Sequence, residues 1–196
     1  MICILRHGET AKNRASLLQG RSNEPLNERG TAQAAAVRDW FQSQGITFDL
    51  VLSSPLLRAV RTAELAAPGL PVRMEERLIE MDYGPYEGMD LRHPAPEVLT
   101  FFADFVHNPA PEGMEPLEAV TARLGSLLEE LKETAVHRNI LLATHAIAMK
   151  GALEYLTPES HGGYWSKHIG NCAVYTAEVR NGAYTVPVEV FSLPLN

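Results

Sequence analysis

The chain has 196 residues, of which 45% are hydrophobic and 21% charged, with a net charge of −7. That length suits one domain with a sizeable core, and the acidic balance argues against nucleic acid or an anionic membrane as partner. No run approaches the ~18–20 apolar residues of a membrane span and no charged-then-apolar leader precedes the first strand, so a cytoplasmic protein is expected.

Ile2, Cys3, Ile4 and Leu5 are four consecutive apolar residues, the mark of a strand buried on both faces. Arg6-His7-Gly8-Glu9-Thr10 follows at once. Polar groups at the carboxyl end of a buried strand are where open α/β sheets place their sites. Gly8 would permit a close approach of backbone to ligand, or positive φ. Residues 26–44 read as a helix, with Asn27 as cap and Gly45 as the C-terminal glycine. Phe48 to Leu52 is the next strand, and Pro55 should open a helix carrying Arg58 and Arg61 in its first two turns.

Residues 70–74 form a weaker strand. From Tyr83 to Pro116 the chain is Pro-rich, with one helical stretch from Glu97 to His107, and reads as a lid or cap inserted at about 83–116. Leu117, Val120, Leu124, Leu127, Leu128 and Leu131 mark a long amphipathic helix. Asn139 to Thr144 is a buried strand ending in His145, with a helix to about Leu156. Cys172 to Val179 and Tyr184 to Phe191 pair as a hairpin about Asn181-Gly182. Cys3 and Cys172 read as buried thiols outside any metal-type cluster. The expected organisation is a single domain over 1–196.

Six blocks then resemble, in order, the histidine phosphatase (phosphoglycerate mutase-like) superfamily. They are RHGET at 6–10 with Asn13, QGRSNEPLNERGTAQA at 19–34, SSPLLRAVRTA at 53–63, LIEMDYGPYEG at 78–88, MEPLEAV at 114–120 and ILLATHAIAMK at 140–150. The fold this implies is a three-layer α/β/α sandwich on a mostly parallel six-stranded sheet with one antiparallel strand.

The implied chemistry suits these residue types. Phosphate monoesters are so inert that enzymes accelerate their hydrolysis by up to ~10²¹-fold. The resemblance makes His7 a nucleophile that forms a phosphohistidine, splitting one hard displacement into two. Arg6, Arg58 and His145 would hold the phosphoryl oxygens, with a neutral hydrogen bond from Asn13. Glu80 stands in the proton-donor position, four residues before Gly84, with Asp82 and Glu87 as acidic competitors. Gln19, Gly20 and Arg21 form the loop that resembles the family's substrate-contacting loop, and Arg21 is as readily solvated as bound to substrate. No metal or cofactor is required, since the arginines take the electrostatic role. The partner is a small-molecule phosphate ester, and a homodimer is left open.

Ser160-His161-Gly162-Gly163 spells the family's second histidine motif more literally than Thr144-His145-Ala146, yet His161 follows a loop and His145 follows a buried strand, so context selects His145. The other histidines (His93, His107, His137, His168) read as surface or packing residues. Two departures stand out. Ala146 replaces the usual Gly at a substrate-binding position, and Met114-Glu115-Pro116 replaces Gly-Glu-Ser. The expected function is a metal-independent phosphomonoesterase of the broad-specificity or α-ribazole phosphate phosphatase type. The alternatives are mutase-type phosphoryl transfer and a non-catalytic phospho-ligand binding protein. The lid aromatics Tyr83, Tyr86, Phe101, Phe102 and Phe105 either line a pocket or hold the lid down, and helical spacing favours the second.

Overall fold

The computed structural model describes residues 1–194, so the last two positions of the expected 1–196 domain lie outside the described residues. In chain order the strands and helices are β1 (Ile2–Arg6), α1 (Ala11–Arg14), α2 (Glu28–Ser43), β2 (Leu50–Ser53), α3 (Leu57–Ala66) and β3 (Val72–Met74). Then come α4 (Pro96–Ala103), α5 (Leu117–His137), β4 (Ile140–Thr144), α6 (Ala146–Leu156), β5 (Val174–Ala177), β6 (Val179–Arg180), β7 (Ala183–Tyr184) and β8 (Val188–Phe191). Six strands form one sheet in the order β3-β2-β4-β1-β5-β8. β1, β2, β3 and β4 run parallel, and β5 is antiparallel to both of its neighbours, β1 and β8.

Alternation along the strands sends side chains to two cores. Ile2, Ile4, Ile140 and Leu142 face a cluster with α5, α6 and the segment around α4, whereas Cys3, Leu5, Leu141 and Ala143 face α2 and α3. That accounts for the unbroken apolar runs: each face of the sheet is covered by helices. The parallel register aligns Arg6 with Thr144 and Ser53 with Ala143. The residues that follow these strands (His7, Ser54, His145) therefore emerge side by side on one edge of the sheet.

Several boundaries differ from the sequence expectation, each for a local reason. Strand β2 begins at Leu50 rather than Phe48, and Phe48 packs edge-on against Phe41 of α2 at 4.9 Å. Helix α3 begins at Leu57 rather than Pro55. Ser54 Oγ accepts the Leu56 N–H (3.3 Å), Leu56 stays extended, and the Leu57 N–H is capped by Asn23 Oδ1 from another loop (2.8 Å). Helix α4 stops at Ala103 because Asp104 Oδ1 accepts the N–H groups of Val106 (3.1 Å) and His107 (3.2 Å), a local alternative to helical bonding. The C-terminal hairpin turns where expected, with positive φ at Asn181 and Gly182, but splits into β5–β8 within the main sheet and a separate two-stranded β6–β7 tip.

The 83–116 segment is rooted in the core by Tyr83, Val98, Phe101 and Met114. Burying side chains such as Val98 and Phe101 is worth about 1.5–3 kcal/mol each.

Of the two uses expected for Gly8, positive φ does not occur, and the structure shows a third. What approaches it closely is the backbone of Gly30 in α2, while a Cβ on Gly30 would overlap the Glu9 carbonyl. The two glycines let the loop after β1 lie directly on the start of α2. Backbone cannot give way as a flexible side chain can, so Gly30→Ala should destabilise the protein by about 1–3 kcal/mol in urea unfolding. An unchanged midpoint and slope would contradict this contact.

Candidate active site

His7 is the first residue after β1, and only 3% of its surface is exposed. Its Nδ1–H donates to the Gly8 carbonyl at 2.6 Å, which fixes the tautomer and leaves a lone pair on Nε2. The Arg58 Nε–H points at that atom from 3.3 Å. Arg58 is fully buried in the first turn of α3, and its other nitrogens donate to the carbonyls of Ser22 (2.7 Å) and Gly20 (2.5 Å). Arg6 donates through Nη1 to the Ile169 carbonyl, while its buried Nε has no hydrogen-bond partner among the described residues. Among the described residues neither arginine has a carboxylate within ion-pair distance.

His145 lies with its ring 5.0 Å from that of His7, tilted by 59°. Ser54 Oγ is 2.7 Å from His145 Nε2, and Nδ1 is buried without a partner. Ser54 Oγ also accepts the Leu56 N–H, and with its own proton given to Nε2 the histidine proton would lie on Nδ1. Burial first, and then the positive charges of Arg58 and Arg6, hold both histidines well below their ordinary range, so each is neutral at physiological pH. Burial likewise pulls Arg58 down to about 10, still a cation.

Glu80 is 3% exposed and sits on the N-terminus of α6. Its Oε1 accepts the N–H groups of Ala148 (2.9 Å) and Met81 (2.9 Å), and Oε2 accepts that of Ile147 (3.2 Å). Its competitors are committed elsewhere. Asp82 is half-buried and pairs with Arg21 at 3.2 Å, while Glu87 binds the N–H groups of Gly20 and Arg21. Arg21 itself is held by Asp82 and by Glu115 (3.4 Å), so its guanidinium clasps two loops together.

Gln19 is anchored by Thr10 Oγ1 (2.7 Å), its Nε2 buried and without a partner. Both backbone groups of Gly20 are used, the N–H on Glu87 and the carbonyl on Arg58. Ala146 is the first residue of α6 and has no positive φ, so the position accepts a Cβ without backbone strain. Asn13 Oδ1 accepts from the Thr10 N–H (3.3 Å) and from Asn171 Nδ2 (3.3 Å). With Arg6 and Asn171 it lines a cavity of about 450 Å³.

His161 is exposed at the end of a short 3₁₀ turn with positive φ, apart from the His7–His145 pair, and Arg61 pairs at the surface with Glu64. Asn171 carries no signal in the sequence. Its Nδ2 also donates to the His7 carbonyl (3.0 Å), a bond between residues 164 positions apart that no local spacing announces. Among the described residues no three His, Cys, Asp or Glu side chains cluster as metal ligands, and no helix is long and apolar enough to cross a membrane.

This arrangement can be compared with known proteins. A family model described as "Histidine phosphatase superfamily (branch 1)" matches residues 2–189. The chain belongs to that superfamily. Relatives include the adenosylcobalamin/alpha-ribazole phosphatase of Escherichia coli, 33% identical over 72% of this chain and 71% of that protein. A probable phosphoglycerate mutase, GpmB of Yersinia pestis, is 32% identical over 76% of this chain and 70% of its own length. Among solved structures, a histidine-to-alanine mutant of phosphoserine phosphatase from Entamoeba histolytica, in complex with phosphoserine, superposes with a TM-score of 0.81 at 25% identity, covering 97% of this chain and 94% of that one. The superfamily's phosphoglycerate mutase-like fold, an α/β architecture on a mostly parallel sheet, is the one described above.

The two buried neutral histidines make stability depend on pH. Their folded values lie below the unfolded ~6.5, so the unfolded chain takes up protons first as the pH falls. Their contribution is present above about pH 6.5 and is lost below it, at about 1.4 kcal/mol per pH unit for each histidine. Urea unfolding between pH 7.5 and 5.5 should show this decline, and His145→Gln should remove about half of the histidine share. An unaltered slope in that variant would contradict the assignment.

Proposed function

We propose that this chain is a phosphomonoesterase that hydrolyses small-molecule phosphate esters, without a metal, through a phosphohistidine on His7. The observation that carries this reading is a neutral imidazole whose Nε2 lone pair faces the buried Arg58 guanidinium, with Arg58 and Arg6 both lacking a carboxylate within ion-pair distance among the described residues. Such cations are costly to bury unless a tetrahedral anion is to be received among them. The phosphatase names of relatives and the phosphoserine held by the Entamoeba enzyme support the same reaction class.

In the first step His7 Nε2 attacks phosphorus, the P–O bond to the alcohol breaks, and a proton passes from the Glu80 carboxyl group to the departing oxygen. In the second step Glu80 takes a proton from water, the water oxygen attacks phosphorus, and the N–P bond breaks to release phosphate and restore His7. Arg6, Arg58 and the His145 Nδ1–H stabilise the charge on the equatorial oxygens in both steps. The three backbone N–H groups on Glu80 orient it and supply the acceptor geometry of the second step.

Mutase-type transfer needs the phosphohistidine shielded from water. Glu80 and Glu115 stand only 35 positions apart, a short enclosing segment that favours hydrolysis. Phosphate release from a phosphomonoester panel tests the reading, and activity should survive exhaustive EDTA treatment. Activity lost to EDTA and restored by a divalent cation would overturn the charge-clamp account.

General acid catalysis is worth about 10²–10⁴-fold and matters most when the leaving group is strongly basic. Glu80→Gln should therefore cut turnover of an alkyl phosphate by about that factor while largely sparing nitrophenyl phosphate, and Asp82→Asn should show no such difference. Equal losses of Glu80→Gln on both substrates would assign Glu80 to positioning instead.

A further inference from the structure

A second cavity, of about 540 Å³, opens between the C-terminal end of α4 and the 161–168 loop, with Phe102, Phe105, Lys150, Trp165, Lys167 and His168 in its wall. His168 also borders the cavity that holds Arg6 and Asn13. Lys150 lies on α6, two residues beyond Ala148, whose N–H holds Glu80, so about 3 Å of helix axis separates the two positions.

The charged groups in this wall are not equivalent. Lys167 is paired with Glu189 at 3.0 Å and lies over the Tyr175 ring. His107 is bound to Asp104 at 2.7 Å, and the other Asp104 oxygen is taken by backbone N–H groups. Lys150 is different: its ammonium donates to the Trp165 carbonyl at 2.6 Å and lies 5.2 Å from the centre of the Phe105 ring, with no carboxylate partner among the described residues. An ammonium has three N–H donors, so two remain.

Burial pulls Lys150 down to about 8, with Glu80 opposing that and Arg6 adding to it. Arg6, Arg58 and Lys150 are thus three cations with no carboxylate within ion-pair distance among the described residues, and His168 borders both the cavity lined by Arg6 and the cavity lined by Lys150.

We propose that this cavity receives the leaving-group half of the substrate and that Lys150 is a specificity-determining residue, binding there a second anionic oxygen group, carboxylate or phosphate. Phe102, Phe105 and Trp165 in the wall lower the polarity around the pair, which strengthens the charge-assisted hydrogen bonds. Lys150 would then select phosphomonoesters that carry a second negative charge over those of neutral alcohols. This rests on the phosphatase reading above.

The test compares kcat/KM for 3-phosphoglycerate, fructose 1,6-bisphosphate and propyl phosphate in wild type, Lys150→Met and Lys150→Arg, with Lys167→Met as a control in the same cavity. The preference for an anionic substrate over propyl phosphate should fall about 10–100-fold in Lys150→Met, chiefly through KM. It should stay within about threefold of wild type in Lys150→Arg and Lys167→Met. A fall confined to 3-phosphoglycerate identifies the group as a carboxylate, and one confined to the bisphosphate identifies it as phosphate. If Lys150→Met leaves the preference unchanged, or if Lys150→Arg and Lys167→Met lower it equally, Lys150 only secures the 161–168 loop and the proposal falls. If wild type releases phosphate from none of the three and from no other member of the phosphomonoester panel, the phosphatase reading fails by itself. Calorimetric binding of 3-phosphoglycerate and of the bisphosphate to wild type and Lys150→Met then decides the subsite, tighter binding of either by wild type supporting it and equal binding of both overturning it.

Discussion

Most of the site depends on one costly interaction: the complete burial of the Arg58 guanidinium against a neutral histidine. Taking such an ion out of water costs several kcal/mol even after relaxation. A carboxylate would offset that cost and cancel the charge. Here two carbonyls, of Gly20 and Ser22, satisfy the guanidinium instead, so its N–H groups are met while its charge stays available. Charge-assisted bonds of this kind contribute about 1.5–3 kcal/mol each. The 19–23 loop is therefore part of the clamp, and its anchors follow from that: Glu87 on the Gly20 N–H, Asn23 capping α3, Arg21 clasped by Asp82 and Glu115.

Burial, and then the same positive surroundings, keep His7 and His145 neutral, and neutrality is what a nitrogen nucleophile needs. The sheet supplies the placement. Because β1 and β4 are parallel neighbours in register, His7 and His145 emerge at the same level, and Ser54 at the end of β2 orients the second ring. Helix α6 then serves two purposes. Its first turn holds Glu80 through backbone N–H groups, and its next turn presents Lys150 to the neighbouring cavity. Thr62 ties α3 to the loop after β1 by accepting the Gly8 N–H and donating to the Arg58 carbonyl, so the arginine and the histidine are positioned by one hydroxyl.

Much of this is legible in the sequence because it is local. A strand buried on both faces has to be apolar throughout, so His7 and His145 at the ends of such runs stand out, and His161 after a loop does not. Helix existence follows from periodicity, but helix starts do not. Pro55 is favoured at a first helical position, yet Asn23 supplies the cap at Leu57 from 34 positions away. Gly8 matters for a reason its strand-end position does not reveal, since the backbone of Gly30 packs directly against it. Asn171 and the uncompensated state of Lys150 are invisible in the sequence, because both depend on which distant groups do or do not arrive beside them.

The central claim is that the buried cations serve a nitrogen–phosphorus bond on His7. Rapid quenching of wild type with a ³²P-labelled phosphomonoester in the presence of EDTA, followed by peptide mapping, tests it most directly. The account predicts transient label on His7, through Nε2 because Nδ1 is held by Gly8, stable to base, labile to acid, and approaching one equivalent when the second step is slow. Label on another residue, or steady turnover with no labelled protein at any quench time, would contradict it.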